Sequence, residues 1–218
     1  MPHIYLIHPT EESRAVARAL ADITEASVRA EPANRSDDEY LRALTEPDVL
    51  LGVIALEGAG LRIAQRAQKP LVLVPEQACP SGAIKRVLVP LDGTDESAHA
   101  VAETVQLFRA AGTEIVVLHV FDSSTVPAYW DQAAHARAAW EDEFLARYCT
   151  PHLPGPAPTL TLRSGAPGES VVEVADDQMD LVILGWSQRP EPGRAQTVRK
   201  IVEETSVPVM LIPTSIVT

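Results

Sequence analysis

The stretch DLVILGWSQRPEPGRAQTVRKIVEETSVPVMLIP, residues 180–213, decides the fold when it is laid beside DVLLGVIALEGAGLRIAQRAQKPLVLVP, residues 48–75. Each opens on an Asp and an apolar run that reaches a Gly. Each passes through a Gly-bearing loop into a helical segment with Arg and Gln. Each closes on a Pro-led apolar run that itself ends in Pro. A strand–loop–helix–strand unit thus occurs twice, which predicts a tandem of two related α/β halves. In open α/β folds a Gly-bearing loop between strand and helix is where phosphate is held, because backbone N–H groups and the helix N-terminus converge there.

The rest of the chain keeps the same alternation. Short Val/Ile/Leu runs of nearly continuous hydrophobicity predict strands covered on both faces. In the first half these are IYLIH (4–8), a weaker ASVRAEP (26–32), VLLGVI (49–54) and LVLVP (71–75). Helices are predicted from Glu11 with Thr10 as N-cap, after Ser36, and over Gly60 to Gln68. EQACPSGAI (76–84) reads as a linker. The second half is longer. Its strands are KRVLVPL (85–91), EIVVLHVF (114–121), TLTLRSG (159–165), DLVILG (180–185) and VPVMLIP (207–213). Its helices run from Thr94 to Ala111, closed by Gly112, from about Ala128 to Tyr148, from Pro167 to Asp177, and from Ala195 to Thr205. PHLPGPAP (151–158) breaks the long one. Strict strand–helix alternation implies right-handed crossovers and doubly wound parallel sheets. The division is 1–79, lacking one strand–helix pair of the plan, and 84–218, complete.

Composition narrows the function classes. The chain has 218 residues, 46% of them hydrophobic, and 18 Lys and Arg against 30 Asp and Glu, a formal charge of −12. Both halves are acidic, which argues against nucleic acid as a partner, since phosphate contacts need clustered Lys and Arg. Cys79 and Cys149 stand far apart without metal-ligand spacing, so neither a disulfide scaffold nor a zinc site is expected. MPHIYLIHPTEESR has no leader pattern, and no apolar run is long enough to span a membrane. A cytoplasmic protein is the expectation.

The second half resembles the universal stress protein family. The resemblance rests on VLVPLDGTDESAHAVAETV, IVVLHVF, SGAPGESVVEVA and DLVILGWS with QTVRKIVEETSVPVMLIP, in that order, and covers residues 84–213. DVLLGVI and KPLVLVP extend it weakly into 1–79. It implies the adenine-nucleotide α-hydrolase-like form of the doubly wound fold, with 1–79 a shortened, degenerate copy. The family pairs its last strands across a dimer. An intramolecular pseudo-dimer joined through LVLVP and VPVMLIP therefore follows, and further homodimerisation stays open.

The resemblance also supplies candidate binding residues. In nucleotide-binding members an Asp at the end of the first strand contacts the nucleoside. Asp92, followed by Gly93, matches it, and Val120 matches the residue beside adenine. Each also has a plain structural role, Asp92 in capping a helix and Val120 in a strand core. ATP-binding members carry Gly, two residues, Gly, nine residues, then Gly with Ser or Thr. Gly185 keeps the first Gly. Gln188 replaces the second, only the seven residues 189–195 follow it, and Gln196 with Thr197 stand at the last positions. Pro190 and Pro192 remove N–H donors. Gly193 and Arg194 partly compensate, since Arg can grip a phosphate bidentately. In 1–79, His8 and Pro9 replace the Asp turn, while Gly52, Gly58 and Gly60 only loosely echo the loop, so that half reads as non-binding.

His119 reads as a core histidine. His99, His135 and His152 lack partners at metal spacing, and no nucleophile-elbow pattern surrounds Ser97, Ser164 or Ser170. Tyr129, Trp130, Trp140 and Tyr148 cover core or form a partner surface. Two functions follow from the resemblance: a binding and regulatory stress-response module without evident catalysis, acting through unknown protein partners, or an ATP-binding member with slow hydrolysis assisted by Mg²⁺. A receiver domain is excluded by Arg163-Ser164-Gly165 and Pro213-Thr214, where its Asp and Lys would stand.

Overall fold

The structure, a computed structural model, describes residues 1–30, 35–56, 59–78, 82–121, 134–187 and 194–214. The first half runs β1 (His3–Ile7), α1 (Glu11–Thr24), β2 (Ser27–Ala30), α2 (Asp37–Leu44), β3 (Val49–Ala55), α3 (Gly60–Ala64) and β4 (Leu71–Val74). The second runs β5 (Arg86–Pro90), α4 (Asp95–Ala110), β6 (Glu114–Phe121), α5 (Ala134–Phe144), β7 (Thr159–Ser164), α6 (Pro167–Gln178), β8 (Leu181–Trp186), α7 (Arg194–Glu204) and β9 (Val209–Pro213).

Local chemistry sets the helix ends. Thr10 caps α1 and forms a reciprocal box with Ser13, as Ser36 does for α2 with Glu39. Thr94 caps α4 by accepting from the Ser97 N–H. Gly112, with φ 81°, follows Ala111, the C-cap of α4, a conformation that costs glycine little. α3 ends at Ala64, short of the expected Gln68, and beyond it Arg66 N–H makes the tighter i→i−3 bond to the Ile63 carbonyl. α5 continues into a single π turn, Leu145–Cys149, in which Thr150 N–H reaches the Leu145 carbonyl at 2.8 Å. The expected start of this helix at Ala128 lies outside the described residues.

The strands form one sheet in the order β2-β1-β3-β4-β9-β8-β5-β6-β7. All neighbours are parallel except β4 and β9, which meet antiparallel with Leu71 opposite Leu211, Val72 opposite Met210 and Leu73 opposite Val209. LVLVP and VPVMLIP are thus the segments that join the halves, and their six paired residues are at most 2% exposed. The order β2-β1-β3-β4 follows the same pattern as β6-β5-β8-β9, and β7 extends the second run by one strand.

Alternate strand residues feed two apolar layers. Val87 and Val89 of β5, Ile183 of β8 and Met210 of β9 pack under α1 and α4. Leu88, Leu184 and Leu211 pack on the other face under α2, α3, α6 and α7. This is the double coverage that the continuous apolar runs require. Burying each Leu or Ile side chain contributes about 1.5–3 kcal/mol. β5 lies between β6 and β8, so the chain leaves it to one side and later returns to the other. That makes a topological switch point, where the carboxyl ends of neighbouring strands diverge and leave a crevice. Among the described residues no helix is long and apolar enough to cross a membrane.

Candidate functional site

A cavity of about 660 Å³ opens at this switch point, between the carboxyl ends of β5, β6 and β8. That volume lies within the range of small-molecule sites, about 300–1,000 Å³. Asp92, Gly93, Val120, Gly185 and Thr197 all line it. Gln196 is exposed and is not among the lining residues, because one helical step of roughly 100° turns it away from Thr197. Gly193 and Gln188 lie outside the described residues. Arg194 begins α7.

The β5 side is tightly organised. Asp92 Oδ1 accepts from Thr94 N–H at 3.1 Å, Thr94 Oγ1 at 2.7 Å and Ser97 Oγ at 2.6 Å. The carboxylate therefore holds the loop that starts α4, but the N-cap is Thr94 and not Asp92, which supports the cap through its bonds to Thr94 and Ser97 while lining the cavity. Gly93 has φ 80°, and a Cβ there would stand 3.3 Å from His119 Cε1. His119 is buried, and its Nδ1 bonds the Leu91 carbonyl at 2.8 Å, so Nδ1 carries the proton. Burial pushes its pKa below the ordinary value, outweighing the Leu91 bond and the nearby Asp92 charge, and the ring stays neutral at pH 7. His119 is a satisfied core histidine, as expected, and its ring also forms part of the cavity wall.

One wall is aromatic. His119 meets Phe121 and Phe144, each at 4.6 Å between centroids. Phe121 meets Trp140 at 6.1 Å, and Phe144 meets Tyr148 at 4.9 Å. Trp140, Phe144 and Tyr148 follow one another at four-residue steps, which puts them on one face of α5 and its π turn. Sequence reading names Trp140 and Tyr148 only as core or partner surface. The four-residue spacing was the signal that could have placed them. Among the described residues, the charged side chains of the lining include Asp92, Glu96, Glu143 and Arg147.

On the β8 side, Gly185 permits close approach to α4, since a Cβ there would stand 3.3 Å from Ala100 Cβ. Trp186 follows it, 7% exposed, and its indole Nε1 is buried with no hydrogen-bond partner among the described residues. Its own carbonyl accepts from the Thr214 N–H at 3.0 Å, tying the end of β9 to the cavity rim. The tryptophan was not singled out from sequence.

The cavity has room for a flat ring and offers it hydrogen-bonding groups, and no activated nucleophile is seen among the described residues. Ser97 Oγ donates to Asp92, and His119 is held at Nδ1. Among the described residues, the group able to offer a metal three ligand atoms is His3, Glu46 and Asp48, at the amino ends of β1 and β3. Glu46 already bonds Arg29 at 3.0 Å. His3 Nε2 is buried without a partner, so a metal on Nδ1 would leave that N–H unsatisfied. No metal is assigned there.

Comparison with known proteins places this geometry. Residues 83–213 match the model of the universal stress protein family. A universal stress protein from Archaeoglobus fulgidus is 12% identical, covers 99% of this chain and 87% of its own, and has a TM-score of 0.61. A functionally unknown protein from Pseudomonas aeruginosa is 11% identical, covers 97% of this chain and 82% of its own, and has a TM-score of 0.62. A universal stress protein solved in complex with cAMP is 21% identical over 61% of this chain and 98% of its own, with a TM-score of 0.43. No curated protein matches the chain. The Archaeoglobus fulgidus and Pseudomonas aeruginosa structures agree with the fold across nearly the whole chain, and the family model spans more than half of the sequence: the chain belongs to the universal stress protein family.

Proposed function

We propose that the chain is a binding and regulatory module of stress response whose second half, 84–218, holds an adenine nucleoside or nucleotide in the switch-point cavity. The first half, 1–79, serves as a shortened copy that completes the sheet as an internal pseudo-dimer. The observation that carries this reading is the convergence of Asp92, Gly93, Val120, Gly185 and Thr197 on one cavity of fitting size. Occupancy would be signalled through the pieces that meet there, the start of α4, the π turn after α5 and the end of β9. ATP hydrolysis has no support from a placed base, since the cavity's imidazole is neutral, buried and bonded to a carbonyl.

The test is calorimetric titration of nucleotide-stripped protein with adenosine, AMP and ATP with Mg²⁺. Saturable heat with at least one of them is expected. Asp92→Ala should cost about 1 kcal/mol of stability by loosening the start of α4, and weaken binding about tenfold through loss of a charge-assisted bond. No heat from any of the three, with the protein shown to be folded by circular dichroism, would refute the reading.

A further inference from the structure

We infer that Asp95, His99 and His152 form a binding site for a divalent transition-metal ion of the zinc class, outside the switch-point cavity. Counting along the chain pairs none of these histidines with another at metal spacing, but the fold brings two of them together. Asp95 and His99 stand one helical turn apart on α4, at i and i+4, which puts both on one face. His152, in the turn that follows the π turn, lies against that face. Its Nε2 stands 3.5 Å from Asp95 Oδ1, and its ring centroid stands 6.1 Å from that of His99.

These distances suit a shared ion better than a direct bond. A charged N–H to carboxylate hydrogen bond runs at about 2.7–2.9 Å. Two ligand atoms each about 2.0–2.1 Å from one tetrahedral zinc lie roughly 3.3 Å apart, and two imidazole rings on it lie roughly 5 Å apart. The His152–Asp95 distance already fits the first figure. The rings must close by about 1 Å, which rotation of the exposed His99 side chain supplies. That rotation sets this group apart from His3, Glu46 and Asp48, whose atoms already converge, but around a buried histidine.

His152 is the fixed member, its side chain only 19% exposed. The backbone beside it is pinned. Leu153 N–H bonds the Cys149 carbonyl at 2.7 Å, and Arg109 Nη1 donates to the Leu153 and Pro154 carbonyls, each at 2.8 Å. Among the described residues, neither imidazole has a polar partner besides Asp95. Two imidazoles and a carboxylate open to solvent suit zinc, nickel or cobalt, and suit magnesium and calcium poorly, since those take oxygen ligands. The ion would tie the first turns of α4 to the turn after Cys149. Glu96 on the first of these elements and Arg147 and Tyr148 beside the second line the cavity, so the ion would stiffen one of its walls.

The experiment is calorimetric titration of the metal-free Cys79→Ser protein with Zn²⁺, with Mg²⁺ as the control; the substitution removes a competing thiol. One-site heat is expected with zinc and none with magnesium. Zinc at a hundredfold excess over its Kd should raise Tm by about 5–10 °C. His99→Ala and His152→Ala should each weaken zinc at least tenfold, while His3→Asn should leave it unchanged. His99 is exposed, so its variant tests the site without disturbing the core. No heat at millimolar zinc, or a folded His99→Ala protein that binds zinc as tightly as the parent, would overturn the inference. Loss of zinc in His3→Asn alone would overturn it equally, by placing the ion at the other end of the sheet.

Discussion

Gly93 is the residue whose replacement separates two costs that usually arrive together. Its φ of 80° lies in the left-handed region, where an L side chain costs roughly 1–2 kcal/mol. A Cβ there would also stand 3.3 Å from His119 Cε1, tighter than ordinary contact. His119 has little freedom to yield. Nδ1 is held by the Leu91 carbonyl at 2.8 Å, and the Phe121 and Phe144 rings flank it at 4.6 Å. Gly112 supplies the control: φ is 81°, yet nothing lies within 4 Å of its hypothetical Cβ. Gly112→Ala therefore carries the backbone cost alone, reduced by about 0.4–1 kcal/mol because alanine also stiffens the unfolded chain. The net is about 1 kcal/mol, or a fall in Tm of roughly 2–4 °C for a chain of this size. Gly93→Ala adds the contact with His119 and should cost about 2 kcal/mol, a fall of roughly 4–8 °C. Differential scanning calorimetry of the two variants reads the difference directly. Equal shifts would refute the steric part of the reasoning, since the His119 ring would then move aside freely. A Gly93→Ala protein as stable as the parent would refute the backbone part as well.

Three further outcomes test other parts of the molecule. Leu211→Ala removes a side chain 2% exposed in the seam opposite Leu71, and should cost roughly 2–5 kcal/mol in urea denaturation while keeping one transition; two separated transitions would show that β4 and β9 do not weld the halves into one unit. His119 makes stability depend on pH with a definite sign. Its pKa is lowered by burial from an ordinary 6.5, so stability is full above pH 6.5 and declines as pH falls, because the unfolded imidazole takes a proton that the folded one refuses, until the lower folded pKa is passed. His119→Gln should flatten that limb of the pH–stability curve, and an unchanged curve would count against it. Cys149 is 1% exposed and its thiol is pushed up to about 11 by burial, against a smaller opposite pull from Arg109. In a Cys79→Ser background it should react with a thiol reagent at pH 8 only as fast as the chain unfolds, and prompt reaction would contradict its burial.

The strands were legible because they follow from apolar runs and Pro/Gly punctuation, which are local signals, whereas the seam came from the family resemblance and the strand order within the sheet came only with the structure. The cavity was legible only in part. Asp92, Gly93, Val120, Gly185 and Thr197 reach it because strand ends and the first turn of a helix have fixed positions in a doubly wound sheet. Gln196 does not, because counting residues through a shortened loop cannot say which face of α7 each will take. The packing of Val198, Ile201 and Val202 under the sheet decides that, and it turns Gln196 outward. The aromatic wall was missed for a different reason. Trp140, Phe144 and Tyr148 form a recognisable helical stripe, but whether a stripe fills a core or lines a void depends on the room left by Phe121 and His119 of another element. Periodicity carries no information about that distance.

The two halves also differ in what they do with the same topology. Because β4 and β9 meet antiparallel, the strands of one half point opposite to those of the other, and the two switch points open on opposite edges of the sheet. At the carboxyl end of β1, where β5 presents Asp92 and Gly93, the chain presents His8 at φ 47°, a strained conformation for a residue with a side chain. His8 stacks edge-on against fully buried Tyr40 at 5.1 Å, and Arg35 reaches the Tyr5 hydroxyl at 3.4 Å. His8, Tyr40, Arg35 and Tyr5 thus gather near the end of β1, where the second half has Asp92 and Gly93. The seam does not feel this difference, since it depends on the backbone and apolar faces of β4 and β9, whereas the cavity is lined from the far ends of β5, β6 and β8. The antiparallel seam is therefore separable from what the chain places at the far strand ends, and either can change without the other.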